Sequence, residues 1–560
     1  MVRKIVVIGG VAGGASAAAK ARRQDEFCQI IIFEKGPYIS FANCGLPYYI
    51  SGEIAKRESL LLNTPESFKA RHNIEVKTNH EVLKVLRDKK RVLVKDLITD
   101  KAFEEPYDKL ILAPGALPIV PPLPGIQARN CFPLRSIPDT DNIFQYLANN
   151  SITQAAIVGG GYIGLEMAEA MLARDLKVTV IEKADQLLAP MDREMSQPIL
   201  AHLREKEVEV ILRDGVKEFL VDKSDRVQEI VLESGRKLPA EIAILSIGIK
   251  PDIRLARDAG LKIGTTGAIE VNERMETSDP DIFAAGDCAE STHLLTGKKV
   301  WIALAGPANK QGRVAGANAA GGNKVMKGVL GTAIVKICDL VAARTGLNER
   351  EAQQEGLDYY CSYTHGEDHA GYYPGAKPLT IKLIAEKGSG RLLGVQVVGR
   401  GGVDKRIDIL STALYAGLTI SDLGNLDLAY APQFGSARDP VITAGFVTHN
   451  ILQGEVAALT SKELMVDMEA GKKVSIIDVR TPREHAVVSI SGSTLIPIDE
   501  LRSRLDELAG HKKEELVAHC GTGLRSYLAC RILQAHGFTR VKNLIGGITS
   551  WKHNMPSENS

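Results

Sequence analysis

Apolar residues along this chain cluster in short runs with little internal alternation. Residues 4–8 (Lys-Ile-Val-Val-Ile), 29–33, 110–112, 155–158, 244–247 and 282–285 are such runs. Each reads as a short apolar strand. After the first run come Gly9-Gly10-Val11-Ala12-Gly13-Gly14 and an alanine-rich helical stretch over 15–23; the second run then ends at Glu34. The order repeats. Residues 155–158 lead into Gly159-Gly160-Gly161-Tyr162-Ile163-Gly164, a helix to about Arg174, and a strand at 177–181 ending at Glu182-Lys183. Further on, Thr460-Ser461-Lys462-Glu463 reads as a capping box that opens a helix. Strands at 474–479 and 517–519 follow, the latter running into a glycine-containing turn and a helix at 526–536. The predicted fold class is α/β, with two Rossmann-like units and a third α/β module at the carboxy end.

The glycine turns carry chemistry. In a strand–turn–helix–strand unit a pyrophosphate sits on the helix amino end, and an acid about 20 residues on accepts from a ribose hydroxyl. Glu34 and Glu182 stand in that place. Val11 occupies the second glycine position of G-x-G-x-x-G, whereas Gly159–Gly164 matches in full. Two such folds imply two nucleotides, typically a flavin and a nicotinamide. Glu182 favours NADH, because it would repel a 2′-phosphate; Lys183 either softens that choice or is a solvated surface charge. Residues 110–115 and 244–248 are further strands ending at glycine, and 282–287 ends in Gly286-Asp287, where backbone and carboxylate meet a ribityl chain and phosphate.

Composition narrows the setting. The 560 residues allow three to five domains, and 44% hydrophobic with 24% charged residues is the balance of a soluble globular protein. A net charge of +1 gives no general attraction to nucleic acid or membrane, so any anion site is local. No run approaches the ~18 apolar residues of a membrane span. Residues 3–19 superficially resemble a signal peptide but read better as strand, turn and helix. Eight scattered cysteines (28, 44, 131, 288, 338, 361, 520, 530) include no CxxC pair or zinc-like cluster, so no metal site is expected. Reduced thiols and a cytoplasmic location follow.

Cys44 lies in Ser40-Phe41-Ala42-Asn43-Cys44-Gly45-Leu46-Pro47-Tyr48, with Pro47 where a helix can begin. A helix amino end lowers a thiol pKa, which makes Cys44 a reactive thiolate; a buried structural cysteine is the other reading of this stretch alone. Together with Ala113-Pro114-Gly115 and Thr277–Asp287, the two glycine turns make residues 1–450 resemble the two-dinucleotide flavoprotein disulfide reductases. The usual Cys-x4-Cys pair is missing, so the segment around Cys44 resembles the single-cysteine branch: coenzyme A disulfide reductases, NADH-dependent persulfide reductases, and NADH oxidases and peroxidases. A lone cysteine works through a mixed disulfide, a persulfide or a sulfenic acid. The segments His369–Gly375 and Tyr430-Ala431-Pro432 resemble the coenzyme A members.

The resemblance implies a homodimer with FAD at 1–148 and 266–325, NAD(P)H at 149–265 (NADH, with NADPH possible) and an α+β dimerisation domain at 326–453. It implies FAD contacts from Gly9, Gly10, Ala12, Gly13, Gly14, Glu34, Lys35, Ser40, Asn43, Val82, Ala113, Gly115, Gly286, Asp287 and Ala305. For NAD(P)H it implies Gly159, Gly161, Ile163, Gly164, Glu182, Lys183 and Gly248. Coenzyme A would meet Lys20, Arg23, Ser40, Asn43, Arg71 and Arg438. Two tyrosines of the partner subunit would reach Cys44: Tyr430 and, by spacing, Tyr372 rather than Tyr373, unless these only pack at the interface.

The carboxy-terminal stretch, 456–560, resembles a single rhodanese domain through Asp478-Val479-Arg480, the loop Cys520-Gly521-Thr522-Gly523-Leu524-Arg525 and Gly546–Trp551. Converging backbone N–H groups, with Arg525 nearby, would stabilise a thiolate or persulfide on Cys520. Its Cys-x4-Arg spacing is one residue short of a tyrosine-phosphatase loop. Cys530 is read as packing, and Cys28, Cys131, Cys288, Cys338 and Cys361 as structural. The expected activity is NADH-driven reduction, through FAD, of sulfur held on Cys44, from coenzyme A persulfide, polysulfide or coenzyme A disulfide, with Cys520 handling sulfane sulfur. The alternatives are an NADH oxidase or peroxidase cycling through a Cys44 sulfenic acid, and a sulfur carrier or redox sensor without turnover.

Overall fold

In the computed structural model, which describes residues 2–555, strand Lys4–Ile8 is the centre of a parallel sheet of five. Ile5, Val6 and Val7 are fully buried, as the unbroken apolar run requires. The strand order is Ile282–Ala284, Lys109–Leu112, Lys4–Ile8, Gln29–Phe33, Glu75–Lys77. The chain leaves this sheet after Leu112, builds a second parallel sheet, and returns at Ile282. The second order is Glu209–Leu212, Lys177–Glu182, Gln154–Val158, Ile242–Leu245, Cys131–Pro133. Strands Ala116–Pro118 and Ile249–Pro251 pair antiparallel where the chain passes between the two sheets. Both sheets belong to one unit, comprising the chain up to Asp185 together with Glu207–Gly331.

Helix Ala12–Gln24 starts three residues earlier than the sequence pattern suggests and takes Gly13 and Gly14 into its first turn. Their missing side chains are the reason: a Cβ on Gly14 would lie 1.8 Å from the Gly9 carbonyl oxygen, and one on Gly13 would crowd Ala285. Helix Ala305–Ala319 packs against this helix so closely that a Cβ on Gly316 would fall 2.0 Å from the Ala17 carbonyl oxygen.

The other unit holds Gln186–Lys206 and the chain from Thr332 onward. Its first layer is an antiparallel sheet ordered Ala333–Ile337, Leu340–Gly346, Leu392–Gly399, Pro378–Glu386, Tyr359–Glu367. Helix Pro440–Leu452 lies against the edge strand, where the Ser362 and Thr448 hydroxyls share a hydrogen bond of 2.6 Å. The carboxy-terminal module is a parallel sheet, Ala457–Leu459, Val541–Leu544, Leu516–His519, Ser475–Asp478, Thr494–Leu495. Its capping box forms, with Thr460 and Glu463 each bonding the other's backbone N–H. Its helix begins at Leu524 rather than 526.

Segment 186–206 lies inside the stretch assigned above to the nicotinamide domain and packs with the second unit. Helix Arg193–Glu205 folds with the antiparallel sheet, because fully buried Lys382 draws in the carboxylates of Asp192 (2.6 Å), Glu194 and Glu349. Gln396 accepts from Asp192 N–H at 2.8 Å and donates to its carboxylate at 2.6 Å. Among the described residues no helix is long and apolar enough to cross a membrane.

Candidate active site

The two glycine turns are built alike. The Glu34 carboxylate accepts from the N–H groups of Gly10 (2.7 Å) and Gly36 (2.8 Å); Glu182 accepts from Gly160 and Ala184, both at 2.7 Å. Each acid is fixed at the end of its strand beside the helix amino terminus. Burial raises the pKa of Glu34. Gly9 has φ +93°, and a Cβ there would meet the Ala113 carbonyl oxygen at 2.1 Å, so the first turn needs glycine for backbone approach. Val11 has φ −97°, so the second glycine position of the pattern does not take up the left-handed region here. A Cβ on Gly161 meets no protein atom within 4 Å, leaving that approach open to a ligand. Lys183 is exposed and paired with Glu233 at 2.7 Å, and Gly248 has φ +108°.

A cavity of about 760 Å³ opens along the first turn, lined among others by Glu34, Asn43, Val82, Gly115 and Asp287. Its size suits a cofactor. The residues fit a dinucleotide: Gly13 and Gly286 bring bare backbone together, and the buried Asn43 Oδ1 has no hydrogen-bond partner among the described residues. Lys35 pairs with Glu81 at 3.0 Å on the rim, and Ala305 opens the helix that continues through Ala308 at the cavity wall. Asp287 is held by Arg135 at 2.7 Å, a residue that no sequence motif marked.

Cys44 sits in the single turn Asn43–Gly45 directly before helix Leu46–Ser51, which has Pro47 in its first turn as expected. The thiol does not gain the expected acidity. Cys44 is exposed, but partial desolvation of its sulfur raises the pKa first, and the Glu166 and Asp287 carboxylates add to that while Arg135 opposes it. A six-residue helix offers too little dipole to outweigh these. Glu166 itself is pushed up to about 7 by burial and accepts from the Tyr48 hydroxyl at 3.2 Å. It lies two residues beyond Gly164, so the glycine turn carried a signal for it that the sequence reading passed over.

Of the residues assigned to coenzyme A, Arg23 and Ser40 line a groove of about 350 Å³ beside Asn309 and Arg313. Ser40 adopts φ +46°, an uncommon conformation for a non-glycine residue. Asn43 instead faces the larger cavity. Lys20 donates to Gln24 at 3.3 Å, and neither it nor exposed Arg71 lines the groove. Arg438 is exposed in the other unit. There the hydroxyls of Tyr372 and Tyr430 lie 2.8 Å apart on an exposed surface. Tyr373 instead sets its ring edge against His369, so the geometry selects Tyr372 as the mate of Tyr430.

Cys520 is buried at the carboxy end of strand Leu516–His519, and its sulfur receives the Gly523 N–H at 3.1 Å and the Ser526 hydroxyl at 3.4 Å. Arg525 is held by Glu484 through two bonds of 2.8 and 2.6 Å, beside Gly521. That pairing, which the sequence reading lacks, fixes the guanidinium at the loop and holds the Glu484 carboxyl near 2. Asp478 grips Arg480, and Cys530 is buried packing as expected. Cys28, Cys131, Cys288 and Cys361 are buried, whereas Cys338 is only partly so.

Two dinucleotide-type sheets, a lone cysteine beside one of them and a second cysteine on an N–H-lined loop define a nucleotide-dependent oxidoreductase acting on sulfur. The model of the pyridine nucleotide-disulphide oxidoreductases matches residues 3–312, their dimerisation domain 332–440, and the rhodanese-like domain 460–554, so the chain belongs to that oxidoreductase family and carries a rhodanese-like domain. Members of the family use FAD and NAD(P)H. The chain is 39% identical over 445 residues to an NAD(P)H sulfur oxidoreductase (CoA-dependent) of Pyrococcus abyssi, covering 79% of this chain and 97% of that one. It is similar to the reduced CoADR-RHD of Bacillus anthracis, with TM-score 0.95 and 42% identity over 99% of this chain and 98% of the other. It is also similar to an NAD-dependent persulfide reductase from A. fulgidus, with TM-score 0.91 and 42% identity over 98% and 100% of the two chains.

Proposed function

We propose that this protein is a homodimeric, cytoplasmic NAD(P)H oxidoreductase that reduces coenzyme A persulfide, polysulfide or coenzyme A disulfide at Cys44, with Cys520 as carrier of sulfane sulfur. The observation that carries the reading is the presence in one chain of the Cys520 loop and of Cys44 directly after Asn43, a residue that lines the large cavity. Reduction of a coenzyme A disulfide alone would leave Cys520 idle, whereas persulfide reduction employs both. Eight free cysteines fit a reducing compartment.

The Gly9–Gly14 turn, Glu34 and Gly286-Asp287 would hold FAD, whose chemistry when bound would be the relay of an electron pair from NAD(P)H to sulfur. The Cys44 thiolate attacks one sulfur of the substrate S–S bond; a new S–S bond to Cys44 forms, the old one breaks, and the other sulfur leaves as a thiolate. The electron pair then breaks the bond to Cys44 and regenerates its thiolate. Tyr372 and Tyr430 of the partner subunit supply the proton or orient the leaving group, a role their adjacent exposed hydroxyls support. The sum for coenzyme A persulfide is CoA–SSH + NADH + H⁺ giving CoA–SH + H₂S + NAD⁺. Glu182 favours NADH, and Arg23, Ser40 and Arg313 suit an anionic phosphate-bearing substrate.

The test is an anaerobic comparison of NADH oxidation with coenzyme A persulfide, coenzyme A disulfide, polysulfide and peroxide on wild type, Cys44→Ser and Cys520→Ser. Loss of all reductase activity in Cys44→Ser is expected, with persulfide the best substrate of the wild type. Full persulfide activity in Cys44→Ser, or peroxide as the best substrate, overturns the reading.

A further inference from the structure

The Cys520 loop does not stand on its own module alone. Its Cys520 and Gly521 carbonyls are held by the amino end of helix Gly547–Asn554: Ile548 N–H donates to Cys520 O at 2.9 Å, and Thr549 N–H and hydroxyl donate to Gly521 O at 3.2 and 3.0 Å. The turn that starts this helix, Gly546-Gly547, has two successive left-handed residues, φ +72° and +53°. It is wedged: a Cβ on Gly547 would meet the Cys520 carbonyl oxygen at 2.5 Å, and one on Gly546 would come within 3.0 Å of the Tyr363 Cβ. Tyr363 belongs to the edge strand of the antiparallel sheet, and His365, two residues on, shares its face.

His365 Nε2 lies 3.1 Å from Gly546 O and 3.2 Å from Ser550 Oγ, while Nδ1 lies 2.9 Å from the Thr380 hydroxyl. A backbone carbonyl only accepts, so Nε2 carries the hydrogen. Burial depresses the His365 pKa to about 4, which leaves the ring neutral with Nδ1 as acceptor for Thr380. We propose that His365 positions the Cys520 loop for sulfur transfer, by fixing the Gly546-Gly547 turn from the antiparallel sheet. It touches neither sulfur nor substrate and acts through the turn. The inference rests on the reading of Cys520 as a sulfane-sulfur carrier.

The test uses the full-length holoenzyme and three variants: His365→Phe removes the donor, His365→Gln restores an N–H near Nε2, and Thr380→Val removes the bond that orients the ring. Sulfur transfer is read with thiosulfate and cyanide. Cys520 thiolate takes the outer sulfur of thiosulfate as sulfite leaves, and cyanide then removes it as thiocyanate, restoring the thiolate. Amide exchange over 520–525 is read alongside, with NADH-driven reduction of coenzyme A disulfide as control. For a loop displaced by a fraction of an ångström, His365→Phe should lose about tenfold in transfer turnover with little change in thiosulfate KM, and His365→Gln should return to within about threefold of wild type. Exchange over 520–525 should rise in His365→Phe and fall back in His365→Gln, with Thr380→Val between them and disulfide reduction unchanged. Wild-type turnover and wild-type exchange in His365→Phe overturn the proposal; should that variant not fold, the same two results in Thr380→Val do so. A wild type that takes no sulfur on Cys520 defeats the carrier reading instead, and the exchange comparison alone then decides whether His365 fixes the loop.

Discussion

Cys44 shows how a residue's chemistry differs from what its local sequence announces. A helix start argued for an acidic thiol, but partial desolvation and the nearby Glu166 carboxylate work the other way. Glu166 titrates near 7, so below that pH it is neutral and above it adds a negative charge facing the thiolate. The sign follows: as pH rises through about 7, wild-type Cys44 becomes harder to ionise relative to a protein with no charge at 166. Glu166→Gln should therefore alkylate at Cys44 faster than wild type by roughly two- to fivefold at pH 8, the gap closing towards pH 6, for a partly screened pair of charges. Iodoacetamide labelling of the reduced protein measures this, and equal rates across the range would remove Glu166 from the account. The residues legible in the sequence were those whose demands are local. Gly14 and Gly164 are fixed by the Gly9 and Gly159 carbonyls of their own turns, and Glu34 and Glu182 by the turn's own N–H groups. Glu166, Arg135 and Glu484 escaped because their partners lie 118, 152 and 41 residues away.

At the scale of elements, the apolar runs predicted the central parallel strands well, since Lys4–Ile8, Gln154–Val158 and Ile242–Leu245 are buried along nearly their whole length. The antiparallel sheet was harder. Along Tyr359–Glu367 the residues Cys361, Tyr363 and His365 share a face, and a sequence shows neither that Lys382 pairs beside Tyr363 nor that three carboxylates reach it. That buried cluster decides where segment 186–206 folds. Tyr363 joins it by donating to Glu194 at 2.8 Å. Removing one partner of a buried ionic group leaves uncompensated charge, so Lys382→Met should destabilise this part of the molecule by roughly 3–5 kcal/mol. Adding Glu194→Gln removes one of the stranded carboxylates and should recover part of that loss, because contacting residues are not additive. Urea unfolding compares the single with the double variant; a double variant that loses as much as the sum of its singles would mean that Lys382 does not hold the acids together.

For the whole molecule, the consequential proposal is that an active site is completed by two chains. Tyr372 and Tyr430 present adjacent hydroxyls on an exposed face, where they bond each other. A pair so placed is suited to donate a proton into a neighbouring subunit's site, and removing such a donor usually costs about 10²-fold or more in turnover. Subunit mixing tests this directly. One parent carries Cys44→Ser with both tyrosines intact; the other carries Tyr372→Phe and Tyr430→Phe with Cys44 intact, and each alone should be nearly inactive with coenzyme A disulfide. In a mixed dimer with tyrosines acting across the interface, one site holds both lesions and the other holds none. Random exchange makes half the dimers mixed, each with one intact site of two, so activity should rise to about a quarter of wild type for a two-fold symmetric assembly. If the tyrosines serve the Cys44 of their own chain, no site in the mixed dimer is intact and mixing restores nothing. Recovery would therefore assign the proton donors to the partner, and its absence, with subunit exchange verified by native mass spectrometry, would return them to the same chain or to packing alone.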